Sequence, residues 1–274
     1  MKFFKYIIIV FCYFPLFANS IQNDFALLTI PKTGSGLVQK CIEMLVHKKP
    51  IAFGTKYQIV HCIEKVQFSP NEFMTSHFDA YKELDKYFLL HPNYKKIIQV
   101  RDLRDACVSA VFYIDKHQNY YHAKYMAGFT ETKENWDRLS FDEKLMKVIT
   151  ANPDKFLISC ATNAREALRF LQKDPKSLLM RFENLVGDKG GGDDFNQRQE
   201  ILKLATFLNI NVSDKELENI SQSLFGNKGL KSSTFRSGQI GKWKEHFKEE
   251  HKEAFKECLG SYLIELGYEK NNNW

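Results

Sequence analysis

The sequence lacks the features by which several classes of site are recognised. It has six cysteines in 274 residues, and no two of them have the short spacing of a zinc site. Cys12 falls in a predicted leader, which leaves an odd number at scattered positions, so no disulfide framework can be read. No Asp, Glu, Cys or His cluster is visible, and we expect no metal. There is also no internal repeat with a period of roughly 20 to 50 residues.

The nucleotide loop of ordinary kinases and GTPases, Gly-Lys-Ser/Thr at a helix start, is absent too. In its place stands "LLTIPKTGSGLVQKCIEML" at 27–45, an apolar run, a glycine-bearing turn and an amphipathic stretch. Such a strand-turn-helix aims backbone N–H groups and one ammonium at the same small volume, which is how proteins hold a phosphate. Lys32 precedes both glycines, so the loop predicts an anion site of another kind.

The first twenty residues predict an export signal. Lys2 and Lys5 precede an apolar stretch from Tyr6 to Phe17, and Ala18-Asn19-Ser20 resembles a cleavage site. An uncleaved signal anchor is the alternative. We therefore expect a signal peptide or anchor over 1–20, one domain over 21–274, and an exported or membrane-tethered protein. A membrane partner is expected only if the segment stays attached.

Composition and periodicity predict an α/β fold. Hydrophobic residues make up 44% of the chain and the formal net charge is +6, a mildly basic balance that suits anionic ligands. Buried strands are predicted at 26–31, 95–102 and 177–185, with helical patterns between them, the first at 36–47. Strand and helix alternate throughout. We expect a single domain, a parallel sheet flanked by helices on both faces, with its ligand at the carboxyl ends of the strands.

Local signals mark two helix starts and one loop. Ser140 with Glu143, and Ser213 with Glu216, have the spacing of capping boxes. The glycine-rich stretch "GDKGGGDDF" at 187–195 is predicted to be a solvated, flexible loop.

Three further segments carry candidate anion-binding or catalytic side chains. Arg101 ends a strand, and Ser109 lies eight residues on in the following helix; an arginine fork and a hydroxyl suit a second anionic group. A local cluster of ion pairs in "RDLRD" is the alternative. The stretch "LKSSTFRSGQIGKWKEHF" at 230–247 carries Arg236 and Gly238. His77 stands in "MTSHFDAY", and a lone histidine is more often structural than catalytic.

Together these segments resemble the sulfotransferase family that uses 3′-phosphoadenosine 5′-phosphosulfate (PAPS), over nearly all of the chain after the leader. The family's Pro-Lys-Ser/Thr-Gly loop is similar to 31–37, and its Arg followed by Ser eight positions later is similar to Arg101 and Ser109. Its Phe-x-Arg-Lys-Gly-x-x-Gly-x-Trp-Lys motif is similar to "TFRSGQIGKWK". His77 precedes Arg101 by 24 residues, close to the family's spacing.

The resemblance implies a P-loop-like nucleotide-binding core and a role for each matching residue. Lys32 would neutralise the leaving phosphate oxygen, and His77 would be the general base. Adenine would contact Phe182, Ser223 and Phe225, for which core packing is the alternative for the two aromatic rings. The loop that would hold the 5′-phosphosulfate end of the donor comprises Lys32, Thr33, Gly34, Ser35, Gly36 and Leu37. The 3′-phosphate would be held by Arg101, Ser109, Arg236, Ser237 and Gly238.

Departures from the family pattern bear on affinity and assembly. Gly36 replaces a hydroxyl and Leu37 replaces an aromatic residue, which predicts weaker nucleotide binding. Ser237 replaces a lysine and removes one cation. Thr75 occupies a place where many members carry a lysine, and Lys248-Glu249 replaces the dimerisation motif of cytosolic members. The oligomeric state is therefore doubtful.

The predicted function is sulfuryl transfer from PAPS to a hydroxyl or amine acceptor, without metal. The acceptor would be a small molecule, a carbohydrate or a protein side chain, and no nucleic-acid partner is expected. Two alternatives stay open: a nucleoside or small-molecule kinase, and a non-catalytic interaction protein on a degenerated sulfotransferase scaffold.

Overall fold

The described part of the chain is built around one parallel sheet. The computed structural model describes residues 24–116, 132–151, 159–225 and 237–274. Within these ranges the sheet has five strands in the order β2-β3-β1-β4-β5, and each adjacent pair runs parallel. The strands are β1 (Phe25–Thr29), β2 (Lys49–Ala52), β3 (Glu72–His77), β4 (Lys95–Val100) and β5 (Ser177–Arg181). The predicted α/β fold is confirmed.

Helices cover both faces of the sheet. Alternate residues of β1 enter two different apolar clusters, Ala26 and Leu28 one of them and Phe25 and Leu27 the other. Both sides of the strand are therefore buried, as its nearly continuous apolar sequence predicts. The helices are α1 (Ser35–Val46), α2 (Phe53–Val60), α3 (Tyr81–Leu90), α4 (Leu103–Lys116), α5 (Lys133–Arg138), α6 (Phe141–Ile149), α7 (Cys160–Lys173), α8 (Phe182–Leu185), α9 (Asp194–Phe207), α10 (Asp214–Leu224) and α11 (Glu249–Glu265).

Side-chain caps fix two of these helices where the sequence predicts. At the start of α6 the Ser140 hydroxyl accepts from the Glu143 N–H, and the Glu143 carboxylate accepts in return from the Ser140 N–H. Ser213 and Glu216 make the same reciprocal pair at the start of α10. Both predicted capping boxes are confirmed.

The glycine-rich stretch after β5 is mostly exposed, as its composition predicts, although its backbone is closely packed at one glycine. Gly190 is buried, and a Cβ on it would lie 2.1 Å from the Val186 side chain and 3.0 Å from the Gly238 carbonyl oxygen. Its carbonyl accepts from the Ile240 N–H at 3.1 Å. Glycine is needed because the backbone comes so close to its neighbours. The stretch supports the segment that carries Gly238.

A buried arginine fastens the last residues of the sequence to helix α4. Arg104 is 4% exposed; its guanidinium pairs with Asp102 and with Glu269, each at 2.7 Å. The guanidinium carbon also lies 4.1 Å from the centroid of the Trp243 ring and 4.4 Å from that of Trp274. The predicted ion-pair cluster in "RDLRD" thus exists, and it extends to residues more than 130 positions away.

The predicted leader over 1–20 lies outside the described residues and stays a prediction. Among the residues that are described, no helix is both long and apolar enough to cross a membrane.

Replacing the buried arginine should be costly. Arg104→Ala leaves two carboxylates without their cation, and we expect the free energy of unfolding to fall by about 3–5 kcal/mol. Arg198→Ala is the matched control, because its ion pair with Glu218 is exposed and such pairs contribute less than about 1 kcal/mol. Urea unfolding of both variants measures the difference. Equal losses would contradict the structural role of Arg104.

Candidate active site

The candidate site lies at the carboxyl edge of the sheet, where four parallel strands end. β1 leads into the Pro31–Gly34 loop and β3 ends at His77. β4 is followed by Arg101 and β5 by Phe182. The strand register therefore brings together residues that are far apart in the sequence.

The loop after β1 turns sharply to deliver the N-terminus of α1 to this edge. Lys32 and Gly34 both have left-handed backbones, with φ of 67° and 82°. The Thr33 N–H and hydroxyl both donate to the Ile30 carbonyl, at 3.3 and 2.6 Å. Thr33 therefore closes the turn, and its contact with the 5′-phosphate stays a prediction. The N–H groups of Ser35 and Gly36 lie in the first turn of α1, where a helix leaves its donors unpaired.

The side chain of Gln99 hydrogen-bonds to the loop from the sheet. Its side chain is fully buried in β4, and Nε2 donates to the carbonyls of Thr33 at 2.9 Å and Gly34 at 3.4 Å. With those carbonyls held toward the sheet, the opposite side of the loop presents N–H groups. Sequence reasoning missed this residue, although a glutamine inside the apolar run "KKIIQV" is the signal that could have found it.

Lys32 is placed in a partly desolvated, cationic environment. Its Nζ lies 3.7 Å from the centroid of the Tyr113 ring, a cation–π contact. Burial, together with the nearby charges of Arg101 and Lys116, lowers the pKa of Lys32 to about 8. The ammonium is thus poorly compensated, which favours an anion beside it.

His77 is held by the strand next to its own. Its Nδ1 lies 2.7 Å from the Thr29 hydroxyl and 3.2 Å from the Thr29 carbonyl oxygen. Burial lowers the pKa of His77, the nearby Asp79 carboxylate opposes this, and Lys32 adds to it. The resulting direction favours a neutral imidazole at physiological pH.

Arg101 is buried and only partly satisfied. Nη2 donates to the Gln239 carbonyl at 2.8 Å and lies 3.4 Å from the Asp105 carboxylate. Its guanidinium carbon lies 4.4 Å from the centroid of the Phe182 ring. Nε has no hydrogen-bond partner within the described ranges. The side chain therefore keeps donor capacity for a ligand.

Asp105 connects helix α4 to the carboxy-terminal motif. Its two oxygens accept from the N–H groups of Gly241 and Trp243, each at 2.8 Å. Ser237 and Gly238 lie just before this anchor and are partly exposed. The segment that carries both predicted residues is thus fixed against the helix that follows Arg101.

The other predicted residues are less closely tied to this cluster. Ser109 is partly exposed on α4, and Leu37 is partly buried on α1. Ser223 and Phe225 are at the end of α10, which packs against α1. Arg236 lies outside the described residues. Phe182 is 3% exposed and packs under Gly34 and Arg101, so it supports the loop and the arginine; its contact with adenine stays a prediction.

Comparison with known proteins identifies the family. A family model described as "Sulfotransferase domain" matches residues 22–267. The chain belongs to the sulfotransferase family. The resemblance read from the sequence motifs is therefore confirmed. A search of curated proteins gave no match.

Solved sulfotransferase-type structures share the fold. Mouse sulfotransferase SULT7A1 complexed with PAP is 18% identical, with a TM-score of 0.66 over 88% of this chain and 84% of that one. Retinol dehydratase in a complex with retinol and PAP is 14% identical, with a TM-score of 0.61 over 88% and 81%. Retinol dehydratase with androsterone and inactive cofactor PAP is 14% identical, with a TM-score of 0.58 over 88% and 80%.

The two glycines of the loop should differ sharply in their tolerance of a methyl group. A Cβ on Gly34 would lie 2.6 Å from the Phe182 ring on a left-handed backbone, whereas a Cβ on Gly36 would meet nothing within 4 Å. We expect Gly34→Ala to cost about 2–4 kcal/mol of stability, and Gly36→Ala to be neutral or stabilising by up to about 1 kcal/mol. Denaturant unfolding of both variants checks this; equal effects would contradict the described packing.

Proposed function

We propose that this sulfotransferase uses PAPS as its donor and transfers the sulfuryl group to a hydroxyl or amine acceptor. The main support for this proposal is that Lys32, His77 and Arg101 follow or end three neighbouring parallel strands, at the same edge of the sheet. A cation for the leaving group, a neutral base and a second anion site are the groups that in-line sulfuryl transfer needs.

Lys32 acts on the leaving group. Its ammonium lies over the Tyr113 ring, and the charges that act on it, those of Arg101 and Lys116, are positive like its own. As the bond between sulfur and the bridging oxygen breaks, negative charge collects on the 5′-phosphate. A lysine at that oxygen stabilises the transition state more than the ground state, which accelerates the reaction.

His77 acts on the acceptor. A neutral imidazole can take the proton of a hydroxyl as its oxygen attacks sulfur. Burial lowers the pKa of this ring, which keeps it unprotonated and ready at neutral pH. His77 precedes the 3₁₀ turn Phe78–Ala80 and ends β3, so its backbone is fixed on a rigid element.

Arg101 selects the nucleotide. Its unpartnered Nε and its fixed guanidinium support binding of the 3′-phosphate, which ATP and ADP lack. Ser109, Ser237 and Gly238 would complete this pocket together with Arg236.

Acceptor class and export remain proposals. The acceptor is proposed to be a small molecule, a carbohydrate or a protein side chain. If the predicted leader over 1–20 directs export or membrane tethering, the donor must reach the same compartment as the enzyme.

The nucleotide test uses 3′-phosphoadenosine 5′-phosphate (PAP), which remains after PAPS has lost its sulfuryl group. We expect calorimetry to show that PAP binds at least about tenfold tighter than ADP, a difference of about 1.4 kcal/mol. Arg101→Ala should cost roughly 1.5–3 kcal/mol of PAP affinity, the scale of a charge-assisted hydrogen bond. ADP has no 3′-phosphate and is the internal control, because its affinity should stay within about twofold.

Equal affinities of the wild type for PAP and ADP would overturn the choice of donor. Transfer itself is tested with labelled PAPS and three acceptors of different class, 4-nitrophenol, a monosaccharide and a tyrosine-containing peptide. Labelled product from any of them supports the proposal, and tight PAP binding without transfer to a broad acceptor screen would support the non-catalytic alternative.

The low pKa of Lys32 predicts a pH-dependent affinity. The free enzyme loses the ammonium proton as pH rises through about 8, whereas bound phosphate holds that proton, so binding must weaken above this pH. From pH 7 to pH 9 the affinity for PAP should fall by about tenfold. Lys32→Met has no charge to lose, and its weaker affinity should not change over this range. Parallel curves for the two proteins would contradict the assignment.

A further inference from the structure

Thr29 and His77 face each other across two strands. They are direct partners in the parallel pairing of β1 with β3. Thr29 is 2% exposed, and its hydroxyl and carbonyl oxygens lie 2.7 and 3.2 Å from the same ring nitrogen, Nδ1 of His77. Two oxygens of one buried residue thus meet one nitrogen of the predicted base.

The chemistry of these atoms selects one tautomer of the ring. A neutral imidazole carries one N–H, on either Nδ1 or Nε2. The Thr29 carbonyl can only accept a hydrogen bond, so a lone pair on Nδ1 would face the lone pairs of that oxygen. A hydrogen on Nδ1 instead donates to both oxygens of Thr29. The arrangement therefore favours Nδ1–H over the alternative in which the hydroxyl donates to Nδ1.

We infer that Thr29 is a positioning residue that holds His77 as its Nδ1–H tautomer and leaves the Nε2 lone pair to take the proton of the acceptor. This inference rests on the proposed role of His77 as the general base. As the acceptor oxygen bonds to sulfur, its O–H bond breaks and the proton moves to Nε2. The bond from sulfur to the bridging oxygen breaks with its electrons left on the phosphate. The imidazolium that forms keeps its Nδ1–H on Thr29, which stabilises the charge.

The charged groups that face His77 agree with this assignment. Asp79 follows it in the 3₁₀ turn and Lys32 lies on the loop after β1, and these are the charges that act on the ring. Within the described residues, neither makes a hydrogen bond to the ring. Thr29 is thus the residue that orients the ring, whereas Asp79 and Lys32 shift its proton affinity in opposite directions.

The fold alone does not explain a threonine at this position. Valine has nearly the same shape and an equal preference for strands, and it would spare the burial of a hydroxyl. Thr29→Val therefore removes the shorter of the two contacts while keeping the strand. Thr29→Ser restores the hydroxyl without the methyl group and serves as the conservative rescue.

The first readout is the tautomer, which requires no acceptor. In the full chain with PAP bound, ¹⁵N-labelled histidine NMR should show His77 as Nδ1–H in the wild type and in Thr29→Ser. Thr29→Val keeps the carbonyl oxygen that selects Nδ1–H, so its ring should keep this tautomer, while the nitrogen chemical shifts of the ring should change because the shorter contact is lost. A wild-type ring found as Nε2–H would overturn the inference, even if Thr29→Val failed to fold.

The second readout is turnover with PAPS and whichever of the three acceptors the wild type sulfates. Thr29→Val should lower kcat by about 10- to 100-fold, the range found for residues that orient metal-binding histidines, with PAP affinity unchanged within about twofold. The acid limb of its pH profile should move, and Thr29→Ser should recover most of the rate. A purely structural threonine would lower stability and leave kcat of the folded enzyme unchanged.

The His77→Ala variant distinguishes an error in the role of Thr29 from an error in the role of His77 as general base. If His77→Ala is inactive while Thr29→Val keeps full kcat, the role of Thr29 is wrong and the general base stands. If His77→Ala keeps its specific activity, the general base is wrong whatever Thr29 does.

Discussion

Strand β1 lies between β3 and β4, and the register of its two pairings places Thr29 opposite His77 on one side and opposite Gln99 on the other. This single alignment sets the geometry of the site. It fixes the histidine through Thr29, and it puts the Gln99 amide under the loop that begins with Pro31. A slip of one residue would turn every side chain of β1 to the opposite face. Such a slip is disfavoured because the side chains on each face are closely packed against a different set of neighbours.

The candidate site holds several positive charges close together. The charges of Arg101 and Lys116 lie close enough to Lys32 to lower its pKa. These like charges repel one another. An aromatic ring and the Asp105 carboxylate relieve part of this repulsion. A bound anion would reduce this repulsion between the cations. The site therefore favours anionic ligands over neutral ones.

The features that the sequence predicts well are local motifs. The features that it does not predict depend on how distant strands pair in the sheet. The Lys32 loop and both capping boxes are motifs within a few neighbouring residues. The roles of Thr29 and Gln99 depend on contacts with residues 48 and 66 positions away, which no spacing in a single chain reveals. Composition predicts an exposed stretch at 187–195 but cannot show that Val186 packs against Gly190 within it. The motif likewise does not show that the Thr33 N–H and hydroxyl both donate within the turn.

The fastening of Arg104 has a consequence for the order in which the chain folds. The register of the three central strands depends on residues that are synthesised early, because β1, β3 and β4 all lie before residue 101. Two contacts of Arg104, those with Glu269 and Trp274, come from the last part of the sequence. The helix next to Arg101 therefore acquires these contacts only after residue 274 has been added, and long-range closure of this kind is slow. A nascent chain would pair its three central strands before it fixed the start of helix α4.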